Sequence, residues 1–181
     1  SGLTYDGEFT SAGSFPEYRD NVVVIQSCSK HFAMTGWRVG VVAGDKQLIK
    51  VLADWQSQST TGTSTISQWT AVAAFANADV NTSVKTAMQT RRNALVDALN
   101  QNLKLQLTPP AAGLYVFISM AALGVGETDS IAFCTRVLNE ANVAMVPGAP
   151  FGAEGYVRLS FGAEPAELEA AVQALAKYLK K

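Results

Sequence analysis

The feature that most constrains this chain is the run Asn21-Val22-Val23-Val24-Ile25-Gln26, four β-branched residues in a row. Such side chains are stiff in a helix and pack well on a pleated surface, so the run reads as a buried strand and commits the chain to a sheet. A second run of the same kind, Val39-Gly40-Val41-Val42, follows within residues 37–44. Asp45 then caps a predicted helix from 46 to about 56, with Leu48, Val51, Leu52 and Trp55 on one face. Residues 57–67 are rich in Ser, Thr and Gly and read as a loop or a helix entry, and the Ala-rich stretch 68–77 as a buried helix. The twenty residues ahead of the first strand, with Gly2, Gly7, Gly13 and Pro16, read as irregular loop.

From 82 to 102 the pattern is a long amphipathic helix, with Val84, Met88, Leu95, Leu99 and Leu103 as its apolar stripe and Arg91 and Arg92 on the polar side. Pro109-Pro110 and Gly113 break the chain, and 114–120 reads as a strand. A helix over 130–140 capped by Asp129 or Ser130, a short strand over 143–146 ending at Pro147-Gly148, and a strand over 156–161 follow. Pro165 opens a last helix through 178, at the first turn where its missing N–H is harmless. The expected organisation is two parts, 1–80 and 81–181, the second beginning with the long helix and forming a small α+β layer.

Composition narrows the function. Fourteen Lys and Arg against fifteen Asp and Glu give a formal net charge of −1, which argues against nucleic acid as a partner. Hydrophobic residues are 48% of the chain, too many for a disordered one, while charged residues are only 16%. So little charge leaves less polar surface for the outside, and predicts that some of this chain is covered by something else. The apolar stretch 111–126 is too short for a membrane span, and no basic, apolar leader is visible at the start. Cys28, Cys134 and the single His31 have no metal-ligand spacing, so no metal site is expected. Two free thiols fit a cytoplasmic setting.

The densest chemistry is Ser27-Cys28-Ser29-Lys30 directly after the first strand, followed by Gly36-Trp37-Arg38. Ligand sites in open α/β sheets lie at the carboxyl ends of strands. A partly buried amine there can form a Schiff base with an aldehyde. The hydroxyls of Ser27 and Ser29 and the Arg38 guanidinium can hold a phosphate. An aldehyde-reactive lysine beside a phosphate grip is what pyridoxal phosphate requires; a surface lysine and a structural arginine are the plainer alternative. Further on, alternation along 156–161 puts Val157, Leu159 and Phe161 on one face and Tyr156, Arg158 and Ser160 on the other. Arg158 suits a bidentate clamp on a carboxylate, or alternatively a structural salt bridge. The turn-rich loop Pro147-Gly148-Ala149-Pro150-Phe151-Gly152 could close over it.

The segment from Ser27 through Lys30 to Arg38-Val39-Gly40 resembles the lysine motif of the class I/II aminotransferases, pyridoxal-phosphate enzymes of the aspartate-aminotransferase fold. The resemblance implies an α/β, fold type I architecture, with a remnant of the large cofactor-binding domain in 1–80 and the small domain in 81–181. It implies that Lys30 bonds the cofactor aldehyde and that Ser27 and Arg38 bind its phosphate, with Ser29 a cofactor-binding residue of less defined role. Tyr156-Val157-Arg158 and the loop before it resemble the C-terminal signature, which implies that Arg158 binds the substrate α-carboxylate. Gly113-Leu114-Tyr115-Val116 resembles a scaffold strand of the small domain. Such an enzyme needs roughly twice this length, so the chain is expected to be a C-terminal part, inactive by itself. The whole enzyme is expected to be a homodimer exchanging an amino group between an amino acid and a 2-oxo acid. A carbon–sulfur lyase on the same scaffold, or an aminotransferase-like sensing domain of a transcriptional regulator, carries the same motifs.

Overall fold

A computed structural model describes residues 3–180, which form two compact units divided between residues 86 and 87. The segment expected to be irregular contains two 3-10 turns, Ala12–Ser14 and Pro16–Asn21. The β-branched run forms β1, Val24–Ser27, which pairs antiparallel with β2, Gly40–Ala43, with Ser27 opposite Gly40. Between them lies a one-turn helix α1, Cys28–His31. The expectation of a buried strand is corrected: Ile25 is 77% exposed and no residue of β2 is buried. The pair is a two-stranded sheet, and two strands cannot cover both of their own faces.

Asp45 caps α2, Lys46–Ser59, its Oδ1 accepting from the N–H groups of Gln47 (2.9 Å) and Leu48 (3.1 Å). Helix α3 is Thr65–Ala76, so the Ser- and Thr-rich stretch is helical at both ends and looped only at 60–64. The expectation that this second helix is buried is also wrong, since only Ser67 and Ala71 are buried while Ile66, Trp69, Val72 and Phe75 face outward. Within this unit the core is a small cluster of Cys28, Phe32, Met34, Val39 and Ala71, with Ala74 and Val80 against it.

Helix α4, Ala78–Leu103, starts four residues earlier than its pattern indicates and runs on into the second unit. Leu95, Val96 and Leu99 are fully buried there. Arg92 is not on the polar side but buried, and its Nη1 donates to the Pro110 carbonyl at 2.9 Å. Positions 92, 95, 96 and 99 share one helical stripe, so the arginine lies on the core face and needs that acceptor. Arg91 donates to the Gly162 carbonyl at 2.9 Å and pairs with Glu164.

The second sheet is antiparallel with order β3-β5-β4: Tyr115–Ser119, Tyr156–Ser160 and Val146–Pro147. β4 is shorter and later than the expected 143–146 strand; Val143 and Met145 are buried without pairing. Helix α5, Ser130–Ala141, packs on β4 and β5 and against α6, Pro165–Leu179. Asp129 is the N-cap of α5, accepting from Ala132 N–H at 2.9 Å. Val157, Leu159 and Phe161 point inward, joining Phe133, Val137, Val172 and Leu175 in the core. No helix of the described residues is long and apolar enough to cross a membrane.

Candidate active site

At the end of β1 the Ser27 hydroxyl accepts from the Ser29 N–H at 3.1 Å and caps α1. Cys28 N–H donates to the Val39 carbonyl at 3.1 Å, and its side chain is buried, which pushes the thiol pKa up. The turn carrying Lys30 is thus pinned by a cap on one side and by the Val39 carbonyl, just ahead of β2, on the other. Lys30 itself is exposed, which corrects the expectation of a partly buried amine.

Two shallow clefts meet at Ser27. One, about 310 Å³, is lined by Ser27 and Lys30 together with Phe9, Ser11, Gln26 and His31. The other, about 270 Å³, is lined by Ser27, Ser29 and Arg38 along the β1–β2 edge. Ser27, Ser29 and Arg38 are therefore brought to one concavity, with Lys30 next to it. Arg38 has left-handed backbone, φ 51° and ψ 48°, which costs a non-glycine residue about 1–2 kcal/mol. That turn brings its Nη1 onto the Thr35 carbonyl at 3.0 Å. Gly40 has no side chain where a Cβ would stand 2.8 Å from the Gln26 carbonyl oxygen, so β2 can approach Ser27 closely. Two hydroxyls and a guanidinium, with no carboxylate lining either cleft, are a donor set that fits a phosphate monoester, and the adjacent amine fits an aldehyde.

In the other unit Arg158 sits at the middle of the central strand β5, opposite Phe117 on β3 and Val146 on β4. Its Cζ lies 4.1 Å from the centre of the Tyr115 ring and 4.6 Å from that of Phe151. Its Nε is buried with no hydrogen-bond partner. No carboxylate pairs with it among the described residues, so the salt-bridge alternative for Arg158 has no partner here. The two rings attract the guanidinium without neutralising its charge.

The loop that carries Phe151 is tied down at both ends. Gly148 N–H donates to the Tyr156 carbonyl at 2.8 Å, and a Cβ on Gly148 would stand 2.0 Å from the Ala153 carbonyl oxygen, so only glycine fits. The fully buried Ser130 accepts from Ala149 N–H at 3.2 Å, while its own N–H donates to Glu154 Oε1 at 2.7 Å. The Ser130 backbone and side chain, and then Gly155, hold the Glu154 carboxyl below its ordinary range. Tyr115 had a sequence signal only as a scaffold strand and Phe151 only as part of a turn-rich loop. Their meeting at Arg158 depends on strand register, which no local pattern displays.

Lys30 with Ser27, Ser29 and Arg38 thus lies after a strand of one unit, and Arg158 on the central strand of the other. The family model described as Aminotransferase class I and II matches residues 2–175, and the chain belongs to that family. It is 35% identical to an aspartate/prephenate aminotransferase of Thermus thermophilus, over 98% of this chain and 45% of that protein. It is 34% identical to an aspartate aminotransferase of Geobacillus stearothermophilus, over 98% of this chain and 47% of that protein. Among solved structures, the aspartate aminotransferase of Thermus thermophilus with maleate superposes with a TM-score of 0.85 at 34% identity, over 97% of this chain and 45% of that one. An aromatic aminotransferase of Pyrococcus horikoshii superposes with a TM-score of 0.88 at 30% identity, over 98% and 48%. The fold is therefore that of the aspartate aminotransferases, and the chain spans less than half the length of these relatives.

Proposed function

We propose that this chain is the C-terminal part of a pyridoxal-phosphate-dependent aminotransferase that moves an amino group between an amino acid and a 2-oxo acid. Residues 1–80 would then be the remnant of the cofactor-binding domain and 81–181 the small domain. The observation that carries the reading is the concavity where Ser27, Ser29 and Arg38 meet beside Lys30. The three donors would grip the cofactor phosphate, Arg38 through its planar fork. Pyridoxal phosphate, when bound, supplies an aldehyde for amines and a ring that draws electron density from the substrate Cα. Lys30 Nζ would bond the aldehyde in the resting enzyme. Once a substrate amine displaces it, Nζ would take and return the Cα proton as general base and acid. Arg158 would orient the substrate by its α-carboxylate.

The whole enzyme is read as a cytoplasmic homodimer. The outward apolar faces of α2 and α3 support a protein surface that covers them. This chain alone is expected to bind the cofactor weakly and to turn nothing over, because affinity depends on several preorganised groups acting together. The test is borohydride trapping of pyridoxal phosphate on the longer protein followed by peptide mapping. Lys30 carries the label, and Lys30→Ala removes both the label and the visible absorbance. A trapped label retained on another lysine in Lys30→Ala overturns the reading.

A further inference from the structure

We propose that Tyr115 and Phe151 are positioning residues. One comes from each flank of the central strand, and together they hold the Arg158 guanidinium ready for a carboxylate in place of a protein counter-ion. The inference deepens the carboxylate role given to Arg158 above and rests on it. A cation at the middle of a sheet is usually oriented by an acidic neighbour. Among the described residues Arg158 has none, and its Nε is buried without an acceptor. What constrains it is aromatic: Tyr115 at 4.1 Å, from the strand on one side, and Phe151 at 4.6 Å, from the loop that follows the strand on the other. Ring faces attract a guanidinium without neutralising it, and they leave its N–H edge free for a planar, two-oxygen ligand. A carboxylate of the protein in the same place would have to be displaced by the substrate before binding. The rings give orientation without that competition, which is the sense of preorganisation.

The Phe151 ring is not a chance neighbour, because its loop has few conformations open to it. Gly148 admits no side chain, and Ser130 and Glu154 bind the loop to the start of α5. The Tyr115 ring is fixed through the β3–β5 register, where Tyr115 pairs with Ser160, two residues along from Arg158 and on the same face.

The experiment uses this chain, with succinate as the probe. The Arg158 Nε–Hε resonance is assigned by comparison with Arg158→Gln. In the unsubstituted chain it is expected to be shifted upfield by the rings, to exchange slowly with water and to move on titration with succinate. Tyr115→Leu and Phe151→Leu should each remove part of the upfield shift and weaken succinate about 3- to 30-fold, the range of cation–π attraction. Tyr115→Phe should keep both signatures, because the ring and not its hydroxyl is used. The methyl resonances of Val157 and Leu159 report whether the sheet is intact, and a variant that disturbs them is replaced by Tyr115→Met or Phe151→Met. Leucine variants with an intact sheet and unchanged succinate affinity overturn the clamp while leaving the carboxylate role standing. If Arg158→Gln binds succinate as well as the unsubstituted chain does, the carboxylate role itself falls, and the clamp with it.

Discussion

The two units of this chain solve burial differently. In 87–181, three strands and the helices around them enclose a large core: Leu99, Phe161 and Leu175 are completely buried, and alternation along β5 gives a buried face and an outer face that carries Arg158. In 1–86, Trp55 and Trp69 are both 70% exposed, and α3 gives the unit's cluster only Ala71, Ala74 and the Phe75 ring against Phe32. The core there is one small cluster behind Cys28. The lesson is that amphipathic patterning announces a need for cover without saying what supplies it. The same contrast extends to the chemistry. Arg158 is half-buried beside two rings of its own unit, while Lys30 stands exposed on a pinned turn.

The strongest way to break this comparison is truncation in each unit. Phe161→Ala should cost about 3–5 kcal/mol in chemical denaturation, because a fully buried ring leaves a cavity. Trp69→Ala should stay within about 0.5 kcal/mol in this chain. Equal losses would erase the contrast. Next, in the longer enzyme, Arg158→Ala should lower kcat/KM for amino acids by roughly one and a half to three and a half decades, the equivalent of about 2–5 kcal/mol for removing one partner of a desolvated charge pair. Trapping of the cofactor at Lys30 should persist, and Arg158→Lys should recover only part of the loss because it lacks the planar fork. Unchanged kinetics with a lost cofactor would move Arg158 to the phosphate or to structure.

Smaller effects sharpen the comparison. Burial raises the pKa of both cysteines, so alkylation of each waits on local opening. Cys28, although completely shielded, should react faster than Cys134, roughly tenfold for each ~1.4 kcal/mol by which the first unit opens more readily. Timed labelling with mass spectrometry checks this, and a slower Cys28 would show that the small cluster is as firm as the larger core. The smallest expected effect is the titration of Glu154. Its carboxyl is held below its ordinary value, so the stabilisation is complete above the unfolded-state pKa and is lost as pH falls through the lowered folded value. Thermal unfolding followed from about pH 7 to about pH 3 should show that loss in the unsubstituted chain and a flatter profile in Glu154→Gln, and identical profiles would remove Glu154 from the loop's support.

Much of the secondary structure was legible in the residues themselves. The caps Asp45 and Asp129, Pro165 at a first turn and the alternation from Tyr156 to Ser160 act within a turn or two of chain, and the elements they predict are present. The Ser27, Lys30 and Arg38 spacing belongs to the same local class, since a strand end, a cap and a left-handed turn bring those side chains to neighbouring clefts. What failed were inferences about surroundings. The first strand and the second helix of the first unit were expected to be buried, Arg92 to be on the polar side, and a strand to run over 143–146. Each depends on atoms far along the chain, or on another surface, and hydrophobicity measures only what a residue would gain by burial. The aromatic pair at Arg158 is the clearest case. The pairing of β3 with β5 sets Tyr115 beside the guanidinium, and the latched loop after β4 sets Phe151 there. Residues 115, 151 and 158 identified the groups available, but only tertiary structure made them neighbours, because register and loop closure are settled by packing and not by local preference.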